Sequence, residues 1–228
     1  MGSVEWPRGR AVTPLRLDLG DAPTILCLGA HSDDIEIGAG GTILSLATRY
    51  PDATIHWVVF SGVGERGEEA RASAEFFTAN FANRDIRIFE YRDGFFPGDF
   101  TGLKETFQSI REECDPDLVF THYRGDLHQD HRMVSDLTWQ TFRDHLILEY
   151  EIPKYDGDLG TPNVYCSLTD AVRMNKIDAL QKFFGSQAGK DWFGSDSFAA
   201  LLRLRGLECR AASSFAEAFF CRKVQVLI

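Results

Sequence analysis

Thr24-Ile25-Leu26-Cys27-Leu28-Gly29-Ala30-His31-Ser32-Asp33-Asp34 is the stretch on which the reading of this chain turns. Its first six residues carry no charge and run out at Gly29-Ala30, which predicts a short buried parallel strand with a functional loop at its carboxyl end. Outward from there, residues 38–49 read as a helix with a wide apolar face of Ile43, Leu44, Leu46 and Ala47, and 55–61 as the next strand. Ala70, Ala74, Phe77 and Phe81 keep helical spacing within 65–83, and 86–90 alternates like a strand. Leu103, Phe107, Ile110 and Cys114 mark a further amphipathic helix stopped by Asp115-Pro116, followed by a strand over 117–122. Such alternation predicts an α/β fold with a parallel sheet.

Beyond it, 133–146 reads as a helix, 153–162 as a Gly- and Asp-rich loop, 164–168 as a strand and 170–184 as a helix. Ser195 or Asp196 is expected to cap a last helix through Arg205, closed by Gly206, before the apolar stretch 224–228. No repeat or linker interrupts the chain, so 1–228 is expected to form a single domain.

Composition narrows the function. The net charge of −10 disfavours a nucleic-acid backbone as partner, because that binding needs concentrated Lys and Arg. No apolar run approaches a membrane span, the opening residues do not read as a signal peptide, and Trp6 stands where a myristoylation motif needs Ser or Thr. A cytoplasmic protein acting on a neutral or weakly charged small molecule is expected. The five cysteines form no C-x-x-C pair and are expected to be reduced and structural.

Two segments carry chemistry: His31-Ser32-Asp33-Asp34, and His128-Gln129-Asp130-His131 after the strand that ends at His122. Both follow strand ends, which in an open parallel sheet face a common crevice. His31 and Asp34 are three apart, as are His128 and His131, a spacing that puts each pair on one side of a helical turn. Singly, an Asp-Asp pair is usually a turn and a histidine a filler. Together they offer four ligands suited to Zn²⁺ or another first-row ion, and a catalytic zinc keeps three protein ligands and a water. Asp33 and one histidine are then free for proton transfer. Asp130 is expected to accept a hydrogen bond from a histidine. Arg66, in Gly64-Glu65-Arg66-Gly67, and Asp93 follow strand ends and are candidates for substrate hydroxyls, with a helix start and a turn as the plain alternatives. His122 and Tyr123 are expected to line the pocket, His56 and His145 to be structural, and the Phe doublets to be core.

These residues resemble the two signatures of the PIG-L/LmbE-like deacetylases, His31-Ser32-Asp33-Asp34 with Gly38 and His128-Gln129-Asp130-His131. Weaker matches are Asp93-Gly94, Asp115-Pro116-Asp117 and the stretch 215–219. The resemblance implies a Rossmann-like three-layer sandwich with a mostly parallel sheet. It further implies a zinc-dependent enzyme that removes acyl groups, usually acetyl, from N-acylated amino sugars. Carried over, it makes His31, Asp34 and His131 the ligands of one zinc per chain, with other divalent first-row metals as substitutes. Asp33 becomes the general base and His128 the group that steadies the oxyanion. The family usually has Pro where this chain has Ser32.

Three rival readings follow from the same residues. One is a metal-dependent amidase on a non-sugar or thioconjugate acyl substrate; another is a catalytically silent metal- or sugar-binding module, disfavoured by the presence of Asp33 and His128. The third, a nucleotide-cofactor oxidoreductase, lacks G-x-G-x-x-G after the first strand, since Gly38, Gly40 and Gly41 come too late.

Overall fold

The computed structural model describes residues 14–225. Residues 1–13, on which the expectations about a signal peptide and a myristoylation motif rest, and 226–228 of the final apolar stretch lie outside the described residues. Among the described residues no helix is long and apolar enough to cross a membrane.

Among the described residues seven strands form one sheet: β1 (Thr24–His31), β2 (Thr54–Ser61), β3 (Asn83–Ile88), β4 (Leu118–His122), β5 (Leu146–Tyr150), β6 (Val164–Ser167) and β7 (Ala216–Phe220). Their order is β3-β2-β1-β4-β5-β7-β6, with the first five parallel and β7 antiparallel to both β5 and β6. The described residues also form six α-helices: α1 (Asp34–Arg49), α2 (Glu65–Thr78), α3 (Phe100–Glu113), α4 (Gln129–Thr141), α5 (Asp170–Phe183) and α6 (Ser195–Cys209).

Strand alternation divides the interior into two cores. Ile25, Cys27, Ile55, Trp57, Val59 and Phe120 face α1, α2, α5 and α6, whereas Leu26, Leu28, Ala30, Val58, Phe60 and Val119 face α3 and α4. The result is the expected three-layer α/β sandwich. Its strand order reverses between β1 and β4, so the crevice at their carboxyl ends is the topological switch point. Both chemical segments open there. Gly38 lets α1 lie against the ring of Tyr150 on β5, where a Cβ has no room.

Several boundaries differ from expectation, each for a local reason. α1 starts at Asp34, four residues early, so the Asp pair sits at the helix entrance. β3 starts at Asn83 and α2 stops at Thr78, because an edge strand keeps polar residues that look like a helix tail. α4 starts at Gln129 with His128 as its cap and ends at Thr141, and the unexpected β5 follows. No Gly or Pro separates that helix from Leu146-Ile147-Leu148, which left the helical reading unbroken. Gly206 is not a helix terminator: α6 continues to Cys209 and ends on Arg210 in the left-handed region, while Gly206 admits the backbone at Ser214. The strand β7 lies in a stretch for which no element is expected from the sequence. Of the Phe doublets, Phe77, Phe96, Phe184 and Phe219 are buried, Phe183 and Phe220 are half-buried with Phe183 packed on the core, and Phe76 and Phe95 are exposed.

Candidate active site

His31 is the last residue of β1 and Asp34 the first of α1, so the pair meets across a tight strand-to-helix turn and not along one helical turn. His128 caps α4 by accepting the Asp130 N–H at Nδ1 (3.3 Å), and His131 lies in its first turn. The switch point brings the two segments together. His31 Nδ1 lies 3.1 Å from His131 Nε2 and 3.3 Å from Asp34 Oδ2, and His131 Nε2 lies 3.5 Å from Asp34 Oδ1.

Each imidazole is oriented by what holds its other nitrogen. His131 Nδ1 donates to Asp126 Oδ2 at 2.9 Å, which leaves Nε2 as a lone pair. His31 Nε2 faces Asp93 Oδ1 at 3.1 Å and Asp130 Oδ2 at 3.3 Å, which leaves Nδ1 as a lone pair. Two ring nitrogens and a carboxylate therefore converge on one point, an arrangement suited to a bound cation. Bonds of about 2.0–2.2 Å to N and O at tetrahedral angles require ligand separations of roughly 3.3–3.6 Å. The three separations agree with that within a few tenths of an ångström, so the donor set fits a zinc-sized ion.

Electrostatics follow the same geometry. Burial opposes charge on His31, but Asp34 and the hydrogen bonds to Asp130, Asp34 and Asp93 prevail and hold its pKa well above the usual imidazole value. Burial likewise opposes ionisation of Asp34, yet His131, His122 and His31 pull its pKa well below the carboxylate range. His131 and His128 are both pushed down, first by burial and then by neighbouring imidazoles. Asp33 is pushed up by burial, with Arg66 acting against the shift. Its Oδ1 takes the Arg66 guanidinium at 3.0 Å, while the buried Oδ2 has no partner among the described residues.

Asp130 does more than meet a histidine. Its two oxygens also accept the N–H groups of Gly94 (2.6 Å) and Phe96 (3.1 Å), fixing the loop that presents Asp93. Asp93, Arg66 and His31 line a cavity of about 300 Å³ together with Ser61, Val63, Glu90 and Arg92. Two expected pocket residues are placed elsewhere. His122 is fully buried behind Asp34, with Nε2 accepting the Ala30 N–H at 2.9 Å, and Tyr123 stacks on Phe220 with ring centroids 3.8 Å apart. His56 and His145 pair with Asp85 and Asp115, away from the cluster.

Sequence reasoning missed Asp126, which orients His131, accepts the His128 N–H at 2.8 Å and pairs with Lys154 at 2.9 Å. A carboxylate two residues before one motif histidine and five before the other was the available signal. Arg92 and Glu90 also went unnoticed, because nothing in their spacing marks a cavity wall.

The fold and this cluster define a doubly wound α/β protein with a His/Asp cluster at its switch point whose groups could hold a metal ion. The model of the GlcNAc-PI de-N-acetylase (PIG-L) family matches residues 26–142, more than half of the chain, and the chain belongs to that family of N-deacetylases, hydrolases of an amide C–N bond. The fold is shared with three solved structures. N,N'-diacetylchitobiose deacetylase from Pyrococcus horikoshii, solved with an inhibitor, is 21% identical with a TM-score of 0.66, over 90% of this chain and 86% of that one. The zinc-inhibited form of teicoplanin deacetylase Orf2 is 15% identical with a TM-score of 0.66, over 87% and 97%. GalB, the 4-carboxy-2-hydroxymuconate hydratase of Pseudomonas putida KT2440, is 19% identical with a TM-score of 0.70, over 90% and 98%. One fold thus carries both hydrolase and hydratase chemistry, and the reaction has to be argued from the site.

Proposed function

We propose that the chain removes the N-acyl group, acetyl in the first instance, from an amino sugar or sugar conjugate. It does so with one divalent metal, zinc by preference, held by His31, Asp34 and His131. The observation that carries this reading is the convergence of the two imidazole lone pairs and the Asp34 carboxylate within 3.1–3.5 Å of one another. An ion so held supplies Lewis acidity, making water acidic near neutral pH and drawing electron density from an amide carbonyl.

The side chains supply the rest. Asp33 Oδ2, buried and without a partner, accepts the proton of the attacking water, and a pKa raised by burial lets the same group return it to the departing amine. Arg66 fixes that carboxylate through Oδ1. His128 is kept neutral by burial and by its imidazole neighbours, and its Nδ1 is occupied as helix cap, so Nε2 carries the hydrogen. That N–H is the donor for the oxyanion, a contribution of roughly 3–4 kcal/mol for one such group. Asp93 and Arg92 at the cavity wall take sugar hydroxyls.

The deacetylase of this fold from Pyrococcus horikoshii is named for an N-acetylated sugar, N,N'-diacetylchitobiose, which supports a sugar conjugate here. Acetate release from a panel of N-acetylated amino sugars and their nucleotide conjugates tests the reading, using wild type, Asp33→Ala and chelator-treated protein with metal content assayed alongside. Release that requires both Asp33 and metal is expected. Bound metal with no release from any member moves the reading to another acyl conjugate, and no bound metal after reconstitution overturns it.

A further inference from the structure

Two loops that leave the sheet at the crevice meet on one ammonium group. His122 and Tyr150 are register partners at the ends of β4 and β5, and a short way beyond each stand Asp126 and Lys154. Lys154 Nζ lies 2.9 Å from Asp126 Oδ2 and also pairs with Asp158 Oδ2. The three side chains are withdrawn from water, Lys154 at 9% exposure and the carboxylates at 2% and 5%. Both carboxylates also hold the backbone that leads into α4. Asp126 Oδ1 accepts the His128 N–H at 2.8 Å, and Asp158 Oδ2 accepts the Leu127 N–H at 2.7 Å.

We propose that Lys154 is a positioning residue of the metal site: it shares Asp126 Oδ2 with the His131 hydrogen and thereby holds His131 Nε2 on the point where His31 and Asp34 converge. The role presupposes the ion held by His31, Asp34 and His131 that is proposed above. A carboxylate oxygen offers two lone pairs, and here one meets His131 Nδ1 and the other Lys154 Nζ, each at 2.9 Å. A carboxylate held only by the ring it orients would swing with that ring. Lys154 enters from the loop after β5 and so fixes Oδ2 independently of α4. No second cation does this among the described residues, since Arg132 Nη1 donates to the main-chain carbonyls of Asp126 and Leu127 and not to the carboxylate.

The plain alternative is that Lys154 only fastens the loop on which it sits. Fastening works through Asp158, which ties that loop to Leu127, whereas aiming works through Asp126. Substitution therefore separates the two roles.

The test is zinc affinity measured by competitive chelation, with no turnover read. Lys154→Met/Asp158→Asn removes one charge of each sign, so the net charge near the ligand set is kept, and the amide carbonyl still accepts the Leu127 N–H. Replacing both members of a buried ion pair is often tolerated where removing one is not, and an unchanged melting curve checks this. The double variant is expected to bind zinc about tenfold more weakly, the lower end of what disturbing a ligand's partner costs. Lys154→Arg, whose guanidinium is able to bridge two carboxylates, should keep most of the affinity. On an Asp126→Asn background the double change should cost nothing further, because the carboxylate through which Lys154 acts is already gone. Wild-type affinity in the double variant, or a loss of about tenfold repeated on the Asp126→Asn background, overturns the proposal and leaves Lys154 a loop fastener. Absence of bound zinc in wild type overturns it together with the metal-site reading, whereas bound zinc with no acetate release leaves it standing.

Discussion

Two clusters of buried charge lie on different parts of this sheet and are built on different rules. Away from the crevice, Lys176 on α5 pairs with Glu217 on β7 at 2.6 Å, each side chain about 2% exposed. Each charged atom of the pair has a further partner: Glu217 also accepts the N–H groups of Gly41 and Thr42, and Lys176 also donates to the Ile37 carbonyl. Close by, Arg205 grips Glu151 through two hydrogen bonds of 2.6 and 2.7 Å. The crevice cluster is as deeply buried but unresolved. Among the described residues Asp33 Oδ2 and His122 Nδ1 are without partners, and the His31 Nδ1 and His131 Nε2 ring nitrogens face each other at 3.1 Å. A fully satisfied cluster holds elements together; one left short of cations and donors is arranged for something it has yet to bind.

The comparison predicts opposite phenotypes. Asp33→Asn should lower kcat about 10²–10⁴-fold, the range of a lost general base, while metal content and urea stability stay near wild type. A stability loss matching the activity loss would make Asp33 a structural residue and erase the contrast. Burial holds the Asp33 pKa above the ordinary carboxylate value, so activity should fall on acidification earlier than an exposed aspartate would dictate. Arg66 opposes that shift, so Arg66→Gln should move the acid limb of kcat/KM to still higher pH; an unmoved limb would mean that another group sets it.

Glu217→Ala should do the reverse. It leaves Lys176 buried with one carbonyl partner and strands the Gly41 and Thr42 N–H groups, so a stability loss of about 3–5 kcal/mol by urea denaturation is expected. The kcat of the molecules that remain folded should be unchanged. A drop in kcat at full folding would show that α1, which carries Asp34, relays strain from one cluster to the other.

The same contrast governs what could be read from sequence. The crevice motifs were legible because strand ends, His/Asp spacing and apolar alternation are local patterns, and local patterns located β1, β2, β4 and both ends of the ligand set. The satisfied cluster was invisible: Lys176 and Arg205 look like solvated charges on amphipathic helices until β7, with Glu217, is folded beside α1 and α5. β5 escaped because its short run sits next to a helical one with no Gly or Pro between 133 and 146 to mark the change. His122 and Tyr123 show the limit of position along a strand as a guide, because neighbouring residues at one strand end turn to opposite sides, one beneath Asp34 and one onto Phe220.

Asp126 tests the boundary between the two kinds of cluster, since it is satisfied itself yet serves the unresolved one. It orients His131, so Asp126→Asn should weaken metal binding about 10–100-fold by competitive chelation, with the ligands still in place. An asparagine amide in the wrong flip would present N–H to His131 Nδ1 and turn the lone pair away from Asp34, which gives the larger end of that range. An unchanged metal affinity would mean that helix α4 alone aims His131.

The smallest effect is expected at Ser32, where the chain departs from the family it belongs to. Ser32 is fully buried and its Oγ donates to the Ser61 carbonyl at 3.3 Å, a tie between the β1 turn and the end of β2. Replacing it with Pro removes a hydrogen bond with a net contribution of about 0.5–1.5 kcal/mol, and restricts the unfolded chain by about 0.4–1 kcal/mol. The residue before it, His31, already ends a β-strand, the conformation that a following Pro favours. The two terms nearly cancel, so Ser32→Pro should change stability by less than about 1 kcal/mol and leave metal content as in wild type. Loss of bound metal would show that the Ser32–Ser61 tie sets the His31–Asp34 geometry, and that the crevice cluster has its own satisfied support hidden under the turn.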